Sequence, residues 1–128
     1  FLFGHGPKET DQINTWAKAY PHVVSQALEL PFSEQLDLIA NLDIMLSMDS
    51  ANGHLAANFN VPVVTLWGMT HPFLGFSPFG QNNHLLVDRE SFPKIPTSAY
   101  GKMIPKGYKD AMRTISPEEV IEMVFDKI

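Results

Sequence analysis

The sequence predicts an α/β fold, a parallel sheet with helices on both faces, and three observations lead there. The β-like runs are nearly continuous in apolar residues rather than alternating, as in Ile44-Met45-Leu46-Ser47-Met48 and Val61-Pro62-Val63-Val64-Thr65-Leu66. Such runs belong to strands covered on both faces. Stretches with helical periodicity separate them, which is the pattern of βαβ units. Finally, the junctions carry Gly, Asp and Ser, which end strands and start helices.

Taken in order, Phe1-Leu2-Phe3 is an apolar strand candidate that stops at Gly4-His5-Gly6-Pro7. From Lys8 to Tyr20, the residues Ile13, Trp16, Ala17 and Tyr20 recur at helical spacing and predict one apolar face. His22-Val23-Val24-Ser25 is a short strand candidate. Ser33 is placed to N-cap the next helix, with Glu34 in its first turn and Phe32, Leu36, Ile39 and Ala40 as the inner stripe. The run 44–48 reads as a strand that breaks at Asp49-Ser50, and a compact helix is expected from Asn52 to Phe59. Residues 61–66 and 84–87 are the remaining strands. The segment 88–115 has three prolines, two glycines and most of the lysines but no clean period, so it reads as an irregular meander. Ser116-Pro117-Glu118-Glu119 then has the form of a capping box with Pro at the first helical position. It opens a helix whose predicted buried stripe is Val120, Ile121, Val124, Phe125 and Ile128.

The 128 residues fit one domain, with 1–87 as the βα core, 88–115 as the meander and 116–128 as the closing helix. The chain starts without Met inside a strand-like run, so it is expected to be part of a longer protein. Nine basic residues stand against fourteen acidic ones, a net charge of -5, and no basic stripe is present; nucleic acid is not an expected partner. The absence of cysteine excludes thiolate chemistry, iron–sulfur ligation and disulfides. No apolar run reaches the length of a membrane span.

The densest set of candidate functional residues is Asp49-Ser50-Ala51-Asn52-Gly53-His54. In a parallel sheet, ligands sit beyond the carboxyl ends of strands, where the next helix presents its free N–H groups. Ser50 can cap that helix, Ala51 and Gly53 are small enough for close approach, and His54 lies one turn in. An anion such as a diphosphate would gain from the helix terminus and a His donor. The same spacing also suits a capped turn with a structurally bonded His. Gly4-His5-Gly6-Pro7-Lys8-Glu9 is a second strand-end loop, without the third glycine of GxGxxG or the Gly-Lys-Ser/Thr of a P-loop. Glu9 suits a ribose hydroxyl pair or a helix-dipole partner. Thr70 and His71, in Gly68-Met69-Thr70-His71-Pro72, occupy a third strand end and are placed to line the same crevice; the alternative there is a hydrophobic plug of Phe73, Phe76 and Phe79 beneath that loop. No two of the five histidines stand at the spacing that puts both on one helix face, so no metal site is expected. Without Gly-x-Ser-x-Gly, an α/β-hydrolase is not indicated.

The run Leu46 to Ala57, followed by Val61 to Pro72, resembles the C-terminal half of glycosyltransferase family nine, the ADP-heptose:lipopolysaccharide heptosyltransferases. The family signature reads Asp-Ser/Thr-Gly-x-x-His-x-x-Ala, then a strand, then Gly-x-Thr-x-Pro. Phe3-Gly4-x-Gly6-Pro7-x-Glu9 is similar to the family's strand–glycine–Glu segment, and Phe32 through Asp43 to the helix before the signature. One departure is Ala51, which stands where the family has Gly, with Gly at position 53. The resemblance implies a Rossmann-like donor half of a GT-B enzyme whose first strand is missing here. By position, Glu9 would hold the donor ribose and the backbone near Leu30 would border the adenine. Asp49, Ser50 and Gly53 would contact the diphosphate or heptose, and His54 would donate to a phosphate oxygen. The implied reaction is inverting transfer from an ADP-sugar to a lipopolysaccharide-type acceptor. No cofactor or metal is needed, and the catalytic base lies in the other half, so this chain alone is expected to be inactive. The implied setting is cytoplasmic, extending to the inner face of the bacterial inner membrane. Without its central strand the sheet is expected to close by pairing 1–4 with 44–48 or, as the favoured route, by self-association. Two other classes fit the pattern: a flavodoxin-like nucleotide-binding or regulatory module, and a non-catalytic homologue kept for protein contacts.

Overall fold

The computed structural model describes residues 1–4, 6–25 and 29–128, and the chain divides into two compact units, Phe1–Leu38 and Ile39–Ile128. His5 lies outside the described residues. In the first unit, α1 runs Pro7–Ala19, starting from Gly6 at φ 83° with Pro7 at a first-turn position. There proline's missing N–H costs nothing. Only Ile13 of its predicted stripe is buried; Trp16 and Tyr20 are exposed. Neither Phe1-Leu2-Phe3 nor 22–25 forms a strand, and a single backbone bond links them, from Leu2 N to Val24 O at 2.9 Å.

The helix α2, Phe32–Ala40, begins one residue before Ser33, so Ser33 lies inside the helix and does not cap it. Gln35 takes over the local satisfaction: its backbone N–H donates to Pro31 O and its Nε2 to Leu30 O at 2.8 Å. Ile39 is buried, whereas Phe32 is exposed.

The second unit holds a three-stranded parallel sheet in the order β1-β2-β3, with β1 Met45–Met48, β2 Val63–Trp67 and β3 Asn83–Leu86. Strand and helix alternate through α3, Ala51–Asn58, which makes this an α/β, Rossmann-like arrangement. Register decides the two faces. Ser47, Thr65 and His84 are partners across the strands and so stand on one side. The helix α3 covers that side, because a Cβ at Gly53 would come within 3.2 Å of Ser47 Oγ and 3.3 Å of Pro78 Cγ. On the other side Leu66 and Leu85 pack against a core of Val87, Ile95, Ala111 and Ile115, all from the irregular segment and the strand end. The apolar character of β2 is thus explained by burial on both faces, with Val63, Val64 and Trp67 at 0% exposure. At β1 the second face is uncovered, and Leu46 and Met48 are each 46% exposed.

The helix α4, Pro117–Phe125, opens with the predicted capping box: Glu119 N donates to Ser116 Oγ, and Ser116 N donates to Glu119 Oε2 at 2.8 Å. The Ser116 backbone N–H, and after it the Ser116 hydroxyl, which donates to the same Oε2 at 2.8 Å, hold the Glu119 carboxyl below its ordinary range. Its predicted stripe is not buried: Val120 packs on the core, but Ile121, Phe125 and Ile128 are exposed. The helix meets β3 and, through Val120, the core beneath the irregular segment, while much of its apolar face stays exposed.

Candidate functional site

At the carboxyl end of β1 the chain passes through Asp49 to Ser50, which takes extended backbone angles (φ -149°, ψ 165°) before α3. This is the N-cap position, but Ser50 does not cap. Its hydroxyl lies 3.0 Å from Ser47 Oγ, and Ser47 in turn donates to Met48 O at 2.6 Å. Ser47 is buried on β1, and its hydroxyl draws Ser50 toward the strand and away from the helix axis. The first N–H groups of α3 therefore receive no side-chain cap, and an uncapped first turn keeps both its donors and its positive dipole end.

Gly53 is buried, and the space where its Cβ would be is taken up by Ser47 and Pro78. Glycine at this position lets α3 approach the sheet, the role of a close-packing glycine at a strand–helix turn. The backbone N–H of Gly53 still belongs to the open first turn.

Two clefts flank this turn. One, of about 280 Å³, is lined by Asp49, Ser50, Ala51, His54, Phe76, Ala99 and Tyr100. The other, of about 300 Å³, lies over the ends of β1 and β2 and is lined by Met48, Asp49, Thr70, Tyr100, Ile104 and Lys109 among others. Thr70 is buried in its wall. His71 does not line either cleft. It heads a short 3-10 turn, Pro72–Leu74, with Nδ1 accepting from Phe73 N at 3.2 Å. Burial, the Arg89 charge and His84 together hold the His71 imidazole below its ordinary pKa. The predicted plug of Phe73, Phe76 and Phe79 is not one, since all three are exposed at 60%, 40% and 87%.

Sequence reasoning missed Tyr100 and Lys109, which come from the meander. Their signal was weak: Gly101 after an aromatic residue, inside a stretch with no period. The structure brings Asp49, Ser50, His54 and Thr70 together around the two clefts. Glu9 and Leu30 belong to the first unit. There the Glu9 side chain lies against Gly4, with Oε2 3.1 Å from where a Gly4 Cβ would be, and the Leu30 carbonyl accepts from Gln35.

No curated protein and no solved structure matches the chain. The family model of Glycosyltransferase family 9 (heptosyltransferase) matches residues 1–103, a span that includes both strand-end loops around the clefts. A parallel Rossmann-like sheet, an open helix turn after its first strand and that match over most of the length agree, and the chain belongs to glycosyltransferase family 9.

Proposed function

We propose that the chain is the donor-binding part of an inverting heptosyltransferase of GT-B architecture, taking ADP-heptose and serving a lipopolysaccharide-type acceptor. The observation that carries this is the uncapped first turn of α3, bordering a cleft with Asp49 and His54. A diphosphate is the ligand such a turn favours, because several N–H donors and the dipole converge on it. In this reading Asp49, Ser50 and the Gly53 backbone contact the diphosphate or sugar, His54 donates to a phosphate oxygen, and Thr70 lines the adjoining cleft. Glu9 for the ribose and Leu30 for the adenine are part of the same reading, on their sequence pattern.

In the transfer an acceptor hydroxyl attacks the anomeric carbon, the bond from that carbon to the phosphate oxygen breaks, and ADP departs. The hydroxyl proton goes to a base assigned to the other half of the enzyme, so residues 1–128 act as one nucleotide-sugar domain without transfer activity of their own. Charge building on the leaving diphosphate is met by the α3 N–H groups and His54. None of these steps calls for a metal or cofactor. No helix among the described residues is long and apolar enough to cross a membrane. A cytoplasmic site with peripheral contact at the inner membrane belongs to the proposal. So does self-association, which the half-exposed Leu46 and Met48 on edge strand β1 support.

The test is titration of the chain with ADP, UDP and FMN, followed by amide chemical shifts and calorimetry. ADP is expected to bind at about millimolar strength, since a half-cleft covers little of the ligand, and to shift Ser50 and His54. His54→Ala is expected to weaken it. Shifts with FMN alone would support the flavodoxin-like module, and silence with all three would support the non-catalytic homologue; either result overturns the proposal.

A further inference from the structure

We infer that the turn 97–101 forms the wall of a glycosyl subsite and that Tyr100 is its specificity-determining residue, an inference that rests on the donor-binding reading above. The two clefts share two lining residues, Asp49 and Tyr100. The cleft beside α3 holds the diphosphate donors. A group attached to that diphosphate and continuing past Asp49 passes the Tyr100 ring into the neighbouring cleft, where Thr70 and Lys109 are the polar partners.

The ring is set there by the fold. Thr97 N donates to Met69 O at 3.0 Å, and Gly101 N closes the turn onto Ser98 O at 3.3 Å. Gly101 sits at φ 61°, and a Cβ on it would come within 2.9 Å of Thr70 Cγ2, so the turn is seated directly on the loop after β2. Phe76 lies 6.2 Å from the Tyr100 ring in a tilted arrangement, and Lys102 Nζ lies 5.7 Å from its centroid. Yet Tyr100 is 74% exposed, so the ring adds little to folding through burial. An aromatic ring held at a cleft mouth without being buried is suited to covering a ligand.

The chemistry of the cleft selects a sugar. A pyranose ring has an apolar C–H face and a rim of hydroxyls. The Tyr100 face matches the first, and the Asp49 carboxylate, Thr70 hydroxyl and Lys109 ammonium match the second. Pockets of this kind combine an apolar wall with a few convergent polar groups.

The experiment compares ADP with ADP-heptose on the parent chain, Tyr100→Ala and Tyr100→Phe by calorimetry, with saturation-transfer nuclear magnetic resonance from the aromatic region. Tyr100→Ala is expected to weaken ADP-heptose by about three- to ten-fold more than it weakens ADP, the range of an aromatic stacking contact. Tyr100→Phe keeps the ring and is expected to keep most of the affinity, and heptose protons are expected to receive saturation in the parent but not in the Tyr100→Ala variant. Because the side chain is largely exposed, the variants should unfold at the parent midpoint. Equal losses for ADP and ADP-heptose, or no loss for either, would overturn the subsite while leaving the donor-binding reading standing. A parent chain that binds neither ligand overturns both.

Discussion

Gly101→Ala is the substitution whose cost the structure specifies most closely. Gly101 has φ 61°, in the left-handed region, where an L-residue with a Cβ is disfavoured by about 1–2 kcal/mol. The added methyl would also stand 2.9 Å from Thr70 Cγ2 and 3.2 Å from Met69 Cβ. Thr70 is buried and Met69 packs on the core beneath the irregular segment, so neither can retreat freely. Overpacking of this kind costs about 1–3 kcal/mol. The combined expectation is a destabilisation of about 2–5 kcal/mol. If the turn lifts instead, it gives up the Thr97 N to Met69 O bond, and part of the cost appears there. The two contributions separate in a double-mutant cycle with Thr70→Ser, which deletes the clashing methyl but leaves the backbone strain. Urea unfolding of the four proteins measures it. Gly101→Ala should cost about 1–2 kcal/mol less in the Thr70→Ser background, a coupling well beyond the roughly 0.5 kcal/mol expected of independent sites. Additive effects, or a Gly101→Ala protein as stable as the parent, would refute the seating of the turn on Thr70.

Two further outcomes are expected. His84 accepts a hydrogen bond from Trp67 Nε1 at 3.1 Å through Nδ1, and burial holds its pKa below the ordinary 6.5. The neutral ring is the folded form, so stability is full above that value and is lost as pH falls from it through the folded pKa. His71 acts in the same direction. His84→Asn keeps an acceptor that does not titrate, and urea midpoints between pH about 7.5 and about 5 should fall less steeply in it than in the parent; parallel slopes would contradict this. Ser116→Ala removes the side-chain cap at α4 and should cost about 1 kcal/mol, with faster amide exchange confined to the first turn of that helix. Unchanged exchange there would show that the cap carries no stability.

What could be determined from the sequence alone was whatever is decided within a few residues or by a simple period. The capping box at Ser116 to Glu119 closes within four residues, and its two bonds form as the pattern requires. The strands at 45–48 and 63–67 and the helix between them follow from apolar runs broken at Asp49-Ser50, and the family resemblance rests on those same contiguous motifs. Where one local rule competes with a contact from elsewhere, the tertiary structure decides. Ser50 has the right type and position to cap α3, but the hydroxyl of Ser47 on the preceding strand takes it, and the turn stays open. The apolar stripe of α4 and the phenylalanines at 73, 76 and 79 look like core because hydrophobicity reads as burial. Burial needs an opposing surface, and no sequence period states whether one is present. Tyr100 shows the limit most clearly. It is placed by a bond from Thr97 to a carbonyl 28 residues earlier and by the fit of Gly101 against Thr70, contacts that exist only once the meander has folded back over the sheet.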